Sequence, residues 1–425
     1  MEIVAPTDLP DGTAKSIAIE GVRVGYVVSQ YPAPSHTFIR REVESLRRQG
    51  VQISTFSIRR PAAAHLTTPE DRSSFDTTRF LLPLSLGGLA IAHVSAALTR
   101  PFAYFRLLGL ATRHRAPGPK ALLWSLFHFA ESIVLARQLR DEAVTHVHNH
   151  FANAGATVGM LAADFAGLPW SLTLHGISET DYPAGLTLGA KLERAEFASC
   201  ASWFGRAQAM RVTDPRHWRK FSVVRCGLDL STLPLAQPVT REDNARPSVI
   251  CVARLSAEKG HLGLIEAITS LDCSLTLVGD GPMAADVRNA IDRAALGDRV
   301  TMKGALGEKE TLAEIARADI LVLPSFMEGL PIVLMEAMAI GVPTIGSRVA
   351  GVPELIEDGV EGLLFRPGDW SDLRRQLARL LNDPALGSRL AIAARTKIER
   401  EFDIDRAVQP LLAHFTNRSS ARHVV

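Results

Sequence analysis

The sequence predicts an α/β protein built from two doubly wound domains that face a central cleft. In both halves of the chain, short apolar runs rich in β-branched residues alternate with helical patterns, which is typical of parallel sheets covered on both faces. A segment rich in proline and charge, 233–247, separates the halves. Open α/β sheets bind ligands at the carboxyl ends of their strands, so we expect the functional site in the cleft.

The candidate strands fall into two groups. In the first half they are 22–28 ("VRVGYVV"), 51–58 ("VQISTFSI"), "THVHNHF", "WSLTLHG" and "FSVVRCG". In the second half they are 248–254 ("SVICVAR"), "LTLVGDG", "VTMKG", "DILVLPS", "VPTIGS" and "GLLF". From about Asp369 the chain is mostly helical. The predicted organisation is an N-terminal tail (1–20), a first domain (21–232), a linker (233–247), a second domain (248–400) and a helical tail (401–425) that packs back toward the first domain.

Composition excludes several classes of protein. A net charge of +2 gives no general reason to expect a nucleic-acid partner. The four cysteines have no CxxC spacing, which favours buried thiols in a reducing compartment over disulfides or a zinc site. The first residues lack the basic start and apolar run of a secretion signal, so we expect a cytoplasmic protein.

An apolar and basic insertion is predicted at about 79–128. Residues 80–98 carry no Asp, Glu, Lys or Arg over nearly the length of a membrane span, but Pro83 and the pair Gly87 and Gly88 make them a poor one. Across 79–140 there are eight Lys or Arg against one acid, with aromatics interleaved. This pattern favours a surface that lies on the anionic cytoplasmic face of the inner membrane. The alternative is a helical insertion packed on its own domain.

Two glutamates stand in the otherwise apolar stretch "SFMEGLPIVLMEAMAIGVP". Pro331 suits a first helical position, and the helix that follows is apolar on every side, so it should be buried. Glu336 inside this helix needs hydrogen-bond partners, because an unpaired buried carboxylate is strongly unfavourable. The helix start can seat a phosphate, and hydroxyls of the same ligand could satisfy Glu336 and Glu328. The alternative is that Glu336 pairs with a buried arginine.

Charged and glycine-rich loops follow other predicted strands of the second half. Arg254 and Lys259 flank one strand-end loop, where two cations could clamp a diphosphate, although loop charges are often simply solvated. Gly279 and Gly281 form only part of a dinucleotide fingerprint, since Ala284 holds the third glycine position. We interpret them as a tight turn near a bound nucleotide. An NAD-linked oxidoreductase is disfavoured on the same ground.

Histidines gather at predicted strand ends of the first half. His175 ends the strand "SLTLHG", and a regular strand would put His146, His148 and His150 on one face. A metal site is conceivable there, but further ligands are not evident, and a strand end facing the cleft explains the run as well. We predict no metal. Near the start, Ser35, His36 and Thr37 should begin a helix with apolar positions 39, 43 and 46, at the cleft.

Together these motifs resemble a known family. "EGLPIVLME" is similar to the E-x7-E motif of retaining glycosyltransferases of family 4, which have the GT-B fold of two Rossmann-like domains. "VVRCGLDL", "ARLSAEKG", "GDGP" and "SRVAGVPELIEDGVEGLLF" resemble the same family in the same order, although Ala350 replaces a common glycine. "YPAPSHTFIRREV", "HVHNHFANAGA" and "LHGISETDYP" resemble the branch that builds bacterial exopolysaccharides such as colanic acid.

The resemblance implies roles for individual residues. Arg254 and Lys259 would hold the diphosphate of a nucleotide-sugar donor, and Glu336 would bind its ribose. Glu328 would bind the donor sugar, and His175 would touch that sugar from the other domain. The remaining nucleotide-sugar contacts are assigned to Gly329, Leu330, Pro331, Ile332, Gly279, Gly281 and Gly304.

The implied reaction moves a hexosyl group from a UDP- or GDP-hexose to a lipid-linked oligosaccharide, with retention and without metal or cofactor. One rival is a nucleotide-sugar epimerase of similar fold, and another is a non-catalytic partner in a polysaccharide assembly complex. Asp403 and Asp405 form an Asp-x-Asp, the pattern of metal-dependent transferases of another fold. It follows a charged helix here, so we interpret Asp403 as a helix cap.

Overall fold

The computed structural model describes residues 21–422 except 34–35, 64–65, 67, 177–178, 182–183 and 237–245. The predicted tail 1–20, Ser35 and most of the predicted linker 233–247 lie outside the described residues. Everything below concerns the described part.

The first domain is built on a seven-stranded sheet in which every pairing is parallel. Its spatial order is β3-β2-β1-β4-β5-β6-β7. The strands are β1 (Arg23–Gln30), β2 (Gln52–Arg59), β3 (Thr78–Phe80), β4 (His146–His150), β5 (Trp170–Leu174), β6 (Ala198–Cys200) and β7 (Phe221–Val223).

Eight helices belong to the first half of the chain. They are α1 (Thr37–Arg48), α2 (Pro69–Thr77), α3 (Leu86–Thr99), α4 (Pro101–Arg113), α5 (Pro119–Asp141), α6 (Ala154–Ala166), α7 (Leu188–Arg194) and α8 (Trp203–Arg211). All residues of β4 and β5 are buried, as expected for central parallel strands covered on both faces. In α1 the predicted apolar positions Ile39, Val43 and Leu46 are buried.

The second domain has a six-stranded parallel sheet in the order β10-β9-β8-β11-β12-β13. Its strands are β8 (Ser248–Val252), β9 (Ser274–Val278), β10 (Val300–Gly304), β11 (Ile320–Leu323), β12 (Thr344–Ser347) and β13 (Leu363–Phe365). Its helices are α9 (His261–Ile268), α10 (Ala284–Arg293), α11 (Glu308–Ala316), α12 (Ile332–Ile340), α13 (Val352–Leu355), α14 (Trp370–Asn382) and α15 (Pro384–Glu401).

The strand order reverses once in each sheet, beside β1 in the first domain and beside β8 in the second. Ligand sites of doubly wound sheets lie outside the strand ends at such a reversal. Two facing doubly wound domains were predicted from the sequence, and this fold class is confirmed.

The last two helices, α16 (Ile404–Ala407) and α17 (Gln409–Arg422), lie against the first domain. Phe415 packs on Tyr26 and His148 in the first-domain core. Asp405 accepts a hydrogen bond from Ser45 of α1 at 2.6 Å. Asp403 caps α16 by accepting from the backbone N–H groups of Asp405 and Arg406, so the predicted cap is confirmed.

The insertion forms the three helices α3, α4 and α5, which pack on one another and on α6. Within the described residues, no helix has both the length and the hydrophobicity that crossing a bilayer requires.

Candidate functional site

An ion pair joins two loops at the carboxyl ends of second-domain strands. Lys259 follows β8, and its Nζ lies 2.7 Å from Oε1 of Glu328, which follows β11. The Glu328 side chain is 8 % exposed and that of Lys259 is 21 % exposed. Gly260 holds the loop close, because its φ is +68° and a Cβ there would overlap the carbonyl oxygen of Pro324. The structure therefore places Lys259 and Glu328 together in the cleft.

Arg254 lies in the same strand-end loop but does not reach Glu328. Its guanidinium pairs with Glu258 at 2.7 Å, and its side chain is 69 % exposed. Burial alone would raise the pKa of Glu258, but hydrogen bonds from Ser256 and Arg254 lower it to about 2. Arg254 is thus an exposed cation at the cleft, held by one carboxylate.

Glu336 contacts the first domain. Its Oε1 lies 3.2 Å from Arg41 of α1, and Arg41 also pairs with Glu308 at the start of α11, at 2.5 Å. Burial raises the pKa of the Glu336 carboxyl, while Arg41 acts in the opposite direction. Glu336 therefore pairs with a buried arginine, as the alternative interpretation of the sequence predicted. Arg41 also keeps a buried Nη1 that has no partner in the described structure, so this guanidinium still has a donor for a ligand.

Pro331, predicted as the first helical position, is instead the N-terminal cap residue of α12, and the helix begins one residue later than predicted. Leu330 is buried, and Ile332 begins the helix. The first backbone N–H groups of a helix have no partner within it, so the loop Glu328–Pro331 leads directly to a potential phosphate seat.

At Gly329 the backbones of the two domains come close together in the cleft. A Cβ on Gly329 would overlap the carbonyl oxygen of His175, and a Cβ on Gly351 would overlap that of Gly329. The absence of side chains at these positions therefore lets the backbones of both domains meet beside Glu328.

The imidazole of His175 is directed into the first domain. Its Nε2 lies 2.8 Å from Nδ1 of His150, and its Nδ1 lies 3.7 Å from Sγ of Cys226. Phe38 and Phe151 pack on the ring. Burial, followed by His150 and His36, lowers the pKa of His175 well below its ordinary value, so the ring is neutral. The structure places the His175 backbone, and not its ring nitrogens, at the second domain.

Close polar contacts continue from His175 through His150 to Glu42. The Nε2 of His150 is 3.2 Å from Oε1 of Glu42, to which Tyr26 also donates a hydrogen bond. Glu42, His148 and His150 have ligand atoms within 4.8 Å of one another and form a candidate metal group among the described residues. However, both nitrogens of His148 already hydrogen-bond Ser171 and Thr173. The arrangement fits a polar core that fixes ring tautomers better than it fits a metal site.

Sequence reasoning missed Glu179, which organises the loop after β5. Its carboxylate accepts hydrogen bonds from the backbone N–H groups of His175, Gly176 and Ala152. Burial raises the pKa of Glu179 to about 6, and burial lowers that of its neighbour Lys191 to about 8. A carboxylate four residues after a strand-end histidine was the available signal, because such a side chain can fold back onto the strand-end amides.

Of the glycines predicted to contact a nucleotide sugar in this part of the fold, Gly279 and Gly281 follow β9 and Gly304 ends β10. A Cβ on Gly279 would overlap the carbonyl oxygen of Ala253, and one on Gly281 would overlap that of Leu255. The Gly304 carbonyl accepts a hydrogen bond from the N–H of Gly279 at 2.8 Å. These glycines therefore pack the "GDGP" turn against the loop that carries Arg254.

Part of the second half of the chain matches a known protein family. Residues 235–397 match the family model described as "Glycosyl transferases group 1". The chain is 27 % identical to WcaL of Salmonella typhimurium, described as a colanic acid biosynthesis glycosyltransferase, over 92 % of this chain and 99 % of that protein. It is 36 % identical to the amylovoran biosynthesis glycosyltransferase AmsK of Erwinia amylovora over 43 % of this chain. That alignment spans only 47 % of AmsK.

Solved structures share the fold of the whole chain. Sucrose-phosphate synthase of Thermosynechococcus elongatus superposes with a TM-score of 0.72 at 19 % identity, covering 94 % of this chain and 100 % of that one. Anabaena HepE, solved in complex with UDP-glucose, gives a TM-score of 0.69 at 17 % identity, covering 94 % and 99 %. Residues 235–397 are therefore a glycosyl transferases group 1 domain, carried by a chain with the two-domain GT-B fold.

Proposed function

We propose that this protein is a retaining hexosyltransferase of family 4 that uses a nucleotide-diphosphate sugar to extend a lipid-linked oligosaccharide in exopolysaccharide biosynthesis. The observation that carries the proposal is the Lys259–Glu328 ion pair beside the start of α12, within the group 1 domain. The relatives named for colanic acid and amylovoran biosynthesis support the exopolysaccharide assignment.

In the proposed reaction, the first turn of α12, Lys259 and Arg254 stabilise the negative charge that develops on the leaving diphosphate. Glu328 orients the donor sugar, Glu336 binds the ribose, and the His175 segment closes the sugar pocket from the first domain. The acceptor hydroxyl attacks from the face that the diphosphate leaves, and a phosphate oxygen takes its proton. This scheme uses no metal or cofactor, so we expect activity to persist with a chelator.

We also propose that the protein works at the cytoplasmic face of the inner membrane, where a lipid-linked acceptor would be located. Support comes from large apolar side chains that α3, α4 and α5 leave exposed. These are Leu86, Ile91, Val94, Leu98, Phe102, Phe105, Leu122, Leu123, Trp124, Leu126 and Phe127. Many exposed apolar side chains interleaved with basic ones are typical of an interfacial surface.

The donor site is tested by calorimetric titration of the purified protein with UDP, GDP and ADP and with their common sugars. UDP-glucose is a natural first donor, since HepE was solved with it. We expect one nucleotide to bind, and Glu336→Ala to weaken it about tenfold or more, the usual effect of losing a charge-assisted hydrogen bond. Glu399→Ala, which removes an exposed carboxylate of α15, is the control. A folded protein that binds none of these nucleotides would overturn the proposal.

Turnover separates the rival functions. Incubation of the bound nucleotide sugar with membrane lipid extract should yield a labelled lipid-linked product. Interconversion of the sugar without any acceptor would instead indicate an epimerase. Tight binding with no reaction in either assay would indicate a non-catalytic partner.

A further inference from the structure

A basic hollow lies between α4 and α7, outside the interdomain cleft. Its volume is about 380 Å³, and its lining includes Phe105, Arg106, Arg113, His114 and Arg194. None of the residues at the donor site lines it. Three arginines and no acid on the wall of one hollow indicate a site for an anion.

Arg113 and Arg194 are available to a ligand, whereas Arg106 is already paired. Arg106 pairs with Asp164 of α6 at 2.8 Å. In the described part of the chain, neither Arg113 nor Arg194 takes part in an ion pair. A guanidinium presents several donors in a planar fork that matches phosphate oxygens, so this pair suits a phosphate group.

His114 adds a third, buried donor. It is 9 % exposed, and its Nε2 has no hydrogen-bond partner among the described residues. Burial, and then the charges of Lys191 and Arg194, lower its pKa to about 4. The ring is therefore neutral at neutral pH and can donate one N–H, and the nearby positive charges of Lys191 and Arg194 favour an anion beside it.

The anion should belong to an amphipathic molecule, because the hollow opens beside exposed apolar residues. Phe105 lines it and is 65 % exposed, and Phe102, one turn earlier on α4, is 92 % exposed. Residues 102, 105, 106, 109 and 113 share one face of α4. This face is apolar at its start and basic at its end, which matches the order of acyl chain and phosphate in a phospholipid.

We propose that the hollow between α4 and α7 binds the phosphate of an anionic phospholipid headgroup, with Phe102 and Phe105 inserted among the acyl chains. The proposal deepens the membrane contact of the proposed function and rests on that part of it. It assigns specific headgroup ligands, Arg113, Arg194 and His114, to a contact that composition alone describes only as apolar and basic.

The test is co-sedimentation of the full chain with vesicles of phosphatidylcholine alone or with phosphatidylglycerol added. We expect binding to the mixed vesicles, and a loss of affinity of about 30-fold in the double variant Arg113→Gln/Arg194→Gln, as expected for two basic residues at an anionic surface. The matched control, Arg288→Gln/Arg389→Gln, removes two exposed cations of the second domain and should change the affinity by less than about twofold. Phe102→Ser/Phe105→Ser should also weaken binding.

Each alternative has its own outcome. Equal losses in the arginine double variant and its control would mean diffuse electrostatic attraction and would overturn the assigned pocket. Release of the protein from vesicles by inorganic phosphate, but not by chloride at the same ionic strength, would assign the site to free phosphate. Failure of the wild-type protein to bind the mixed vesicles would also refute the lipid-binding proposal. Nucleotide titration of the same variants checks folding: if nucleotide binding fails while arginine-dependent vesicle binding persists, the donor-site proposal fails and the lipid pocket stands.

Discussion

At the scale of single residues, the proposed donor site depends on charged side chains that already form ion pairs. Lys259 and Glu328 neutralise one another across two loops, and Arg41 does the same for Glu336 across the two domains. A diphosphate that enters must share these cations with the carboxylates. The pairs therefore hold the site in shape while no ligand is bound, and they keep buried charges compensated.

Replacing Lys259 tests its share in diphosphate binding. Lys259→Ala should weaken binding of the nucleoside diphosphate about 10- to 150-fold, because it removes one charge-assisted hydrogen bond worth ~1.5–3 kcal/mol. Arg389→Ala, an exposed cation of α15, should have no effect. Calorimetry measures both, and equal binding by wild type and Lys259→Ala would exclude the proposed phosphate contact.

Gly329 should not accept a side chain. Gly329→Ala places a Cβ against the His175 carbonyl, so we expect the cleft to be forced apart and transfer activity to fall at least about tenfold. Gly297→Ala is the matched control, since an added Cβ there meets open space. Activity of Gly329→Ala equal to that of the control would show that the domains adjust without loss.

Glu179 gives a prediction for stability against pH. Burial raises its pKa from 4.5 to about 6, so the protonated carboxyl stabilises the folded state. This stabilisation is complete below pH 4.5 and is lost as the pH rises from 4.5 through about 6. A shift of this size corresponds to about 2 kcal/mol. The non-titrating variant Glu179→Gln should therefore gain about 2 kcal/mol relative to wild type between pH 4.5 and 6.5. Thermal unfolding at several pH values measures the difference, and parallel curves would contradict it.

The role of a residue was predictable from the sequence where it depends only on residues nearby in the chain. The Asp403 cap follows from side-chain geometry within three residues, and the structure confirms it. The partner of Glu336 could only be given as an unnamed arginine, because Arg41 is 295 positions away in sequence. The inward direction of the His175 ring was also beyond prediction, since it depends on His150 and Cys226 from other elements.

At the scale of elements, α12 joins the proposed donor site to the second-domain core. Six of its nine residues are buried, among them Leu334, which is fully inaccessible. Leu334→Ala should lower the free energy of unfolding by ~2–5 kcal/mol, the usual result of a buried cavity. Ile392→Ala, at a position 70 % exposed, should change it by less than ~0.5 kcal/mol. Denaturant unfolding distinguishes the two, and similar values would show that α12 repacks.

The sequence predicted eleven strands, and each has a counterpart in the structure. β3 (TRF) and β6 (ASC) were not predicted, because neither three-residue segment is an apolar run. The boundaries of α3, α4 and α5 were also not predictable. In an ordinary helix the buried face is apolar and the exposed face is polar, but these helices carry apolar residues on their exposed faces as well.

At the scale of the whole molecule, carboxylates of one domain stabilise helices of the other. Glu354 of α13 accepts hydrogen bonds from the backbone N–H groups of Trp203 and Phe204, which begin α8, and pairs with Arg225 at 2.6 Å. This contact spans the cleft without any local sequence signal. The facing of the two domains was predictable from their matching patterns, but the residues that join them were not.

Hydrogen–deuterium exchange can test this contact. Glu354→Ala should speed exchange of the Trp203 and Phe204 amides several-fold, although the substitution lies in the other domain, because those donors lose their acceptor. Asp383→Ala removes a comparable cap within the second domain and should affect only the amide of Leu386. Unchanged exchange at Trp203 and Phe204 would show that the domains separate freely in solution.

The return of the chain to the first domain has a consequence for how the cleft can open. The outgoing segment at Leu228 and the returning segment at Phe402 and Ile404 run side by side, joined by backbone hydrogen bonds of 2.8 and 2.9 Å. A single connection would allow the domains to swivel in any direction. Because the two connections are joined to each other, we expect them to restrict twisting and to let the domains rotate mainly about one axis. Rotation about that axis would separate Glu328 from His175 and bring them back to the same relative position.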